Sequence, residues 1–301
     1  MTMTVFDRQT VRWHRDRAAA GFAGHDFLVA EVATRLEERL DDIKREFPSA
    51  LDLGAHVGAL RDKIETRPGV KRVIASDLSE AMARKLDGAA LVADEEALPF
   101  AEGAFDLIVS AMSLHWVNDL PGTLVQIRRA LRPDGLFLAA LLGGDTLVEL
   151  RRALVEAESE IEDGVSPRVS PFLGVREGGA LLQRAGFALP VVDSDTIAVT
   201  WPDALALMRD LRGMGEANAV AERKKGFSRR ETLLTAAARY QERHGDAEGR
   251  IPATFQVIYL TGWAPHENQQ RALQPGAATS RLADALDVTE VSGGEKTKPG
   301  S

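Results

Sequence analysis

A doubly wound α/β domain is the fold this sequence predicts, and three observations carry it. Five short runs rich in aliphatic residues lack the alternation of a half-exposed strand. Segments with helical spacing separate them. The first run ends in a glycine-bearing turn, Asp52-Leu53-Gly54-Ala55-His56-Val57-Gly58. Strands buried on both faces and joined by helices make a parallel sheet covered on either side.

The elements follow in chain order. The N-terminal stretch MTMTVFDRQTVRWHRDR predicts a helix, with Arg8, Arg12, Arg15 and Arg17 at spacings that share one side. That side is either a solvated face or a basic docking face for an acidic carrier. Asp7 and Asp16, with no apolar core or cleavage signal, argue against a targeting presequence. Phe27, Leu28, Val32, Leu36 and Leu40 are spaced as the apolar stripe of a second helix. The strands are ALDL (50–53), RVIAS (72–76), AALVA (89–93), FDLIVSA (105–111) and LFLAALL (136–142). Helices lie between them near 58–66, 79–86 and 120–131, and Pro133-Asp134-Gly135 turns the chain into the fifth strand.

The second half is less regular. Asp145 and Thr146 are placed to cap a helix running to Ile161. The loop SPRVSPF (166–172) precedes a helix that stops at Ala185-Gly186. Residues 189–200 are rich in β-branched types, helices fit 202–212 and 228–244, and ATFQVIYLTGW (253–263) reads as a last strand. The resulting division is an N-terminal helical segment (1–44), a cofactor-binding domain (45–200), a helical addition with the final strand (201–286) and a disordered tail (287–301).

Composition narrows the function. Among 301 residues, 37 Lys and Arg face 45 Asp and Glu, a net charge of −8 that argues against a broad nucleic-acid footprint. With no cysteine there is no disulfide, thiolate nucleophile or cysteine-held metal. No apolar run reaches the length of a membrane span, so the cytoplasm is the default location and only peripheral membrane contact stays open. His14, His25, His115, His244 and His266 are scattered without metal-ligand spacing, so no metal is expected.

The turn after the first strand carries the chemistry. A dinucleotide fingerprint, G-x-G-x-x-G, fails at His56 and Ala59. An acidic residue followed by G-x-G-x-G fits Asp52, Gly54 and Gly58 and fails at His56 alone; a purely structural turn is the alternative. Asp77, with Leu78 after it, closes the second strand 19 residues past Gly58 (77 − 58), where a carboxylate takes both hydroxyls of a ribose. A helix cap is the competing role. Asp94 and Glu95 close the third strand, placed for an adenine amino group or for a solvated loop. Ser110 and Ala111 end the fourth strand at the crevice. Beyond it, His115 is a candidate base and Trp116 a wall, although a packing role for both competes.

This order of motifs resembles the class I S-adenosylmethionine-dependent methyltransferases over about residues 45–200. SLHWVNDLP (113–121), GGDTLVELR (143–151), SPRVSPF (166–172), DLRGMGEAN (210–218) and PATFQVIYLTGW (252–263) further resemble the mitochondrial complex I assembly factor 5 family and its bacterial relatives. The resemblance implies a Rossmann-like sheet of seven strands with an antiparallel last strand beside the fifth. It implies S-adenosyl-L-methionine as cofactor, and hydroxylation of an arginine on a complex I subunit as the reaction. The crevice would use Asp52, Gly54, His56, Gly58, Asp77, Leu78, Asp94, Glu95, Ser110 and Ala111. The substrate side would use His115, Trp116, the Gly143–Asp145 turn with its candidate Asp145, and the 213–218 segment. His56 departs from the family pattern at the middle glycine. Two other readings stand beside this one: an O-methyltransferase acting on a small or carrier-bound acid, and a non-catalytic assembly chaperone, for which His56 is the support.

Overall fold

Seven strands form one sheet among the described residues, in the spatial order β3-β2-β1-β4-β5-β7-β6. The computed structural model describes residues 4–162, 164–269, 287 and 288. The compact unit spans residues 1–266, and residues 267–301 form a second unit. The expected tail at 287–301 lies outside the described residues, Asp287 and Val288 excepted.

The strands are β1 (Ser49–Leu53), β2 (Arg72–Asp77), β3 (Ala89–Val92), β4 (Phe105–Ala111), β5 (Leu131–Leu142), β6 (Ala188–Trp201) and β7 (Ile251–Trp263). Parallel pairing joins β3 to β2, β2 to β1, β1 to β4 and β4 to β5. The last strand, β7, runs antiparallel to both β5 and β6. This is the seven-stranded Rossmann-like sheet expected from the sequence. The helices are α1 (Arg8–Ala18), α2 (Phe27–Asp41), α3 (Ala59–Glu65), α4 (Glu80–Ala83), α5 (Leu120–Ala130), α6 (Val148–Ile161), α7 (Val175–Ala185), α8 (Ala204–Gly213) and α9 (Arg230–His244).

Both faces of the central strands are covered, which explains their lack of alternation. Leu107, Val109, Leu136 and Leu138 face a core shared with Val32, Leu36 and Leu40 of α2 and Leu60 of α3. The alternate residues Ile108, Phe137 and Ala139 face a second core with Leu124 and Ile127 of α5 and Leu182 of α7. Sheet order places the carboxyl ends of β1, β2 and β4 side by side, and the order reverses between β1 and β4. That switch point is where open α/β sheets bind ligands.

Two local expectations are corrected. Asp145 and Thr146 do not cap α6: Leu147 precedes it with φ +55° and no side-chain cap, while Thr146 Oγ1 donates to the Gln256 carbonyl at 3.1 Å. Pairing to β7 takes the hydroxyl that a cap would need. Pro133-Asp134-Gly135 also lies within β5, as an irregularity where the β4 register shifts between Phe105 and Leu107.

Candidate functional site

The β1–α3 turn follows from backbone conformations that few side chains allow. Gly54, His56 and Gly58 all have left-handed φ values, +73°, +51° and +100°. A Cβ on Gly54 would lie 2.1 Å from Ser113 Oγ, so the close approach of this turn to the end of β4 requires glycine. His56 adopts its φ without that freedom because its ring is held. It stacks on Phe22 (centroids 5.6 Å apart, planes at 10°), and Nε2 lies 3.2 Å from the Met112 carbonyl. A carbonyl only accepts, so Nε2 carries the proton. Burial and the Arg15 charge hold the imidazole below its usual pKa, leaving a neutral ring whose Nδ1 lone pair is buried without a partner.

Asp52 is fully buried, and neither carboxylate oxygen has a hydrogen-bond partner. Burial pushes its pKa up to about 7; the Arg61 main-chain N–H offsets part of that without reaching hydrogen-bond geometry. A raised carboxylate makes the native state bind a proton that the unfolded chain has already lost. Its contribution to stability is therefore complete near pH 4 and disappears as pH rises through 7. At about 1.4 kcal/mol per pH unit the full difference is on the order of 4 kcal/mol. Asp52→Asn, which cannot ionise, should gain on the wild type by roughly 2–4 kcal/mol more at pH 8 than at pH 4 in urea unfolding. Parallel stability curves for the two proteins would show that Asp52 is not a strained acid.

The other acids are clamped by α1. Arg15 is 1% exposed, and its Nη1 lies 3.4 Å from both oxygens of Asp77 and 3.2 Å from Glu95 Oε1, while Nη2 donates to Ser113 Oγ at 2.9 Å. Two turns earlier on the same helix, Arg8 pairs with Asp94 at 2.7 Å and with Glu95, and donates to the Trp116 carbonyl at 3.2 Å. Burial would raise the Glu95 pKa, but the two guanidiniums and the Ser113 hydroxyl hold it down to about 2. The basic stripe read from the sequence is thus neither a solvated face nor a docking face at Arg8 and Arg15. Burying these cations against three acids is what ties α1 over the strand ends.

The residues fit an adenosyl amino acid in type and in place. Each Asp77 oxygen holds a short main-chain contact, Oδ1 from Ser79 N at 2.8 Å and Oδ2 from His56 N at 3.0 Å. The contacts to Arg15 are the long ones, so a ribose diol can replace them and leave the turn intact. The Asp52 oxygens and His56 Nδ1 are buried acceptors without donors, and an ammonium supplies donors. Arg15 reaches across Asp77 and Glu95, which lays α1 over the crevice.

A cavity of about 360 Å³ lies on the other side of Trp116. Its walls include Leu28, Leu142, Leu147, Phe172, Leu211 and Phe255, and Glu216 also faces it. Glu216 Oε2 accepts from His115 Nε2 at 3.0 Å and from Trp116 Nε1 at 3.1 Å. Trp116 therefore belongs to both halves of the site, with its carbonyl bonded to Arg8 and its indole to Glu216.

Of the residues expected at the site, Asp52, Gly54, His56, Gly58, Asp77, Asp94 and Glu95 come together around the switch point. Leu78 packs with Phe6, Val11 and Trp116 under α1. Ser110 turns its hydroxyl to the Leu53 carbonyl at 2.7 Å, a bond within the sheet, and Ala111 is buried in the core. Asp145 is exposed at the β5–α6 turn, where its N–H meets Gln256 Oε1 at 3.1 Å. Arg8 and Arg15, expected only as part of a solvated or docking face, join the site, as do Ser113 and Glu216, which the sequence marks only within the segments 113–121 and 210–218. For the two arginines the signal was available, since a spacing of seven places both on one face two turns apart.

The chain matches the methyltransferase domain model over residues 51–139. It is 42% identical over 293 residues to the mitochondrial arginine-hydroxylase NDUFAF5 of Danio rerio, covering 95% of this chain and 91% of the relative. It is 35% identical over 275 residues to the malonyl-[acyl-carrier protein] O-methyltransferase of Methylovorus sp., covering 87% and 90%. In structure it resembles phosphoethanolamine N-methyltransferase 2 of Haemonchus contortus, solved in complex with S-adenosyl-L-methionine. That likeness has a TM-score of 0.53 at 15% identity, over 85% of this chain and 60% of the other.

Proposed function

We propose, for a chain that belongs to the NDUFAF5 family of class I S-adenosylmethionine-dependent methyltransferase-like enzymes, that it modifies an arginine side chain on a protein subunit during assembly of respiratory complex I. The observation that carries this reading is the cavity beside Trp116. It is walled by the second-half segments 166–172 and 210–218, and its volume of about 360 Å³ suits one long side chain.

S-adenosylmethionine, when bound, would supply an activated methyl group. Asp77 would hold its ribose, Asp94 or Glu95 its adenine amino group, and Asp52 with His56 Nδ1 its ammonium. His115 and Trp116 position the Glu216 carboxylate toward the cavity. Phe22 and α1 exclude water from the turn by packing over His56 and Asp77.

The test is intact-mass analysis of the matrix-facing or cytoplasm-facing complex I subunits from cells with and without this gene. The expected result is one subunit lighter in the deletion, by about 16 Da for hydroxylation or about 14 Da for methylation, since the two chemistries add different groups. Unchanged masses with normally assembled complex I would overturn the assignment.

A further inference from the structure

The cavity holds one carboxylate, on Glu216, among apolar walls and the cations Arg168, Arg212, Arg223 and Lys224. Glu216 has one carboxylate oxygen anchored by two donors, His115 Nε2 and Trp116 Nε1, while its Oε1 makes no hydrogen bond. The side chain is 10% exposed. An ionised carboxylate oxygen held away from water is costly unless a cation or hydrogen-bond donor meets it. Although burial opposes it, the hydrogen bond from His115 and the Arg15 charge hold Glu216 below the usual carboxylate pKa, so it carries its charge at neutral pH.

Of the four cations in the lining, Arg168, Arg223 and Lys224 are engaged elsewhere. Arg168 pairs with Glu158 at 2.7 Å and donates to Ser228 at 2.6 Å. Arg223 reaches Asp7 and Thr10, and Lys224 pairs with Glu162. Arg212 is exposed, where solvent screens its charge. The donors of Arg15 go to Asp77, Glu95 and Ser113, so it lowers the Glu216 pKa without hydrogen-bonding to it. Oε1 of Glu216 is therefore the one anionic acceptor without a donor that the cavity offers among its lining residues.

We propose that Glu216 is the residue that selects a cationic substrate side chain, accepting a guanidinium N–H through Oε1 while Leu142, Leu147 and Phe172 enclose the methylene stem. The assignment rests on the reading that a side chain enters this cavity, and it adds the group that recognises it. It also separates the two chemistries found among the relatives. A substrate carboxylate would face Glu216 as a like charge, whereas a guanidinium satisfies it. Because His115 and Trp116 both donate to Oε2, they fix the carboxylate plane and act as positioning residues.

The test compares two blocked amino acids, N-acetyl-arginine N-methylamide and N-acetyl-citrulline N-methylamide, added to the full chain with S-adenosylmethionine present. They share stem length and shape, and differ in charge. The Trp116 indole N–H resonance reports occupancy, because that N–H is bonded to Glu216. The arginine probe should bind at least about tenfold more tightly than the citrulline probe, and Glu216→Gln should remove most of that difference. Equal binding by the wild type, tighter binding of a carboxylate probe such as glutarate, or no binding of either probe would overturn the assignment. The wild-type comparison stands even if the variant fails to fold. Selective arginine binding with no mass change on any complex I subunit would leave this role intact and sink the proposed reaction instead.

Discussion

Replacing Arg15 by methionine is expected to cost about 3 kcal/mol of stability at pH 7, because a buried cation leaves acids behind it. Methionine fills similar space, so the loss reports charge more than volume. The figure lies at the lower end for breaking a buried ion pair for two reasons. Arg8 still partners Glu95, and Asp77 keeps the Ser79 and His56 N–H groups. The pH dependence should change as well. In the wild type the Glu95 pKa is depressed from its ordinary 4.5 to about 2, so its contribution is present above pH 4.5 and is lost as pH falls toward 2. Without Arg15 the Glu95 pKa moves up, and that window narrows from its low-pH side. Urea unfolding of both proteins at pH 7 and pH 3 measures it. Equal stability at pH 7 would mean that Arg15 is not the tie that holds α1 on the strand ends.

How much of this was legible in the sequence differs between the two halves of the site. The sheet could be read because β1, β4 and β5 are buried on both faces, which leaves unbroken aliphatic runs. The acids could be read because they sit at strand ends with fixed spacing from the turn. Which arginines of α1 are buried was hidden, because Arg8, Arg12 and Arg15 share one helix side and look alike in sequence. Only the fold shows that Arg8 and Arg15 face buried carboxylates while Arg12 lies at the surface. The orientation of Glu216 was hidden for a similar reason. It depends on the segment after α8 meeting the turn after β4, about 100 residues apart in the chain.

His56 shows a third kind of limit. The sequence shows a side chain in a position that favours glycine, but not where it goes. The structure directs it away from the turn, toward Phe22 and the Met112 carbonyl. A neutral imidazole with a free acceptor replaces the missing glycine, so the departure from the motif does not by itself argue for a protein that has lost its ligand.

The second large effect concerns Asp77, on which the cofactor reading turns. Its carboxylate lies at the switch point with two main-chain donors in place and Arg15 at a replaceable 3.4 Å. Charge-assisted hydrogen bonds to a ribose diol contribute about 1.5–3 kcal/mol each. Asp77→Asn keeps the size and one acceptor oxygen while removing the charge. Calorimetric titration with S-adenosylmethionine, on wild type and on an Asp77→Asn variant shown to be folded by its thermal transition, is therefore the most direct measurement. The expected result is one site per chain in the wild type and a loss of affinity of at least about thirtyfold in the variant. A wild type that takes up no S-adenosylmethionine, or a folded variant that binds it as tightly, would contradict the account.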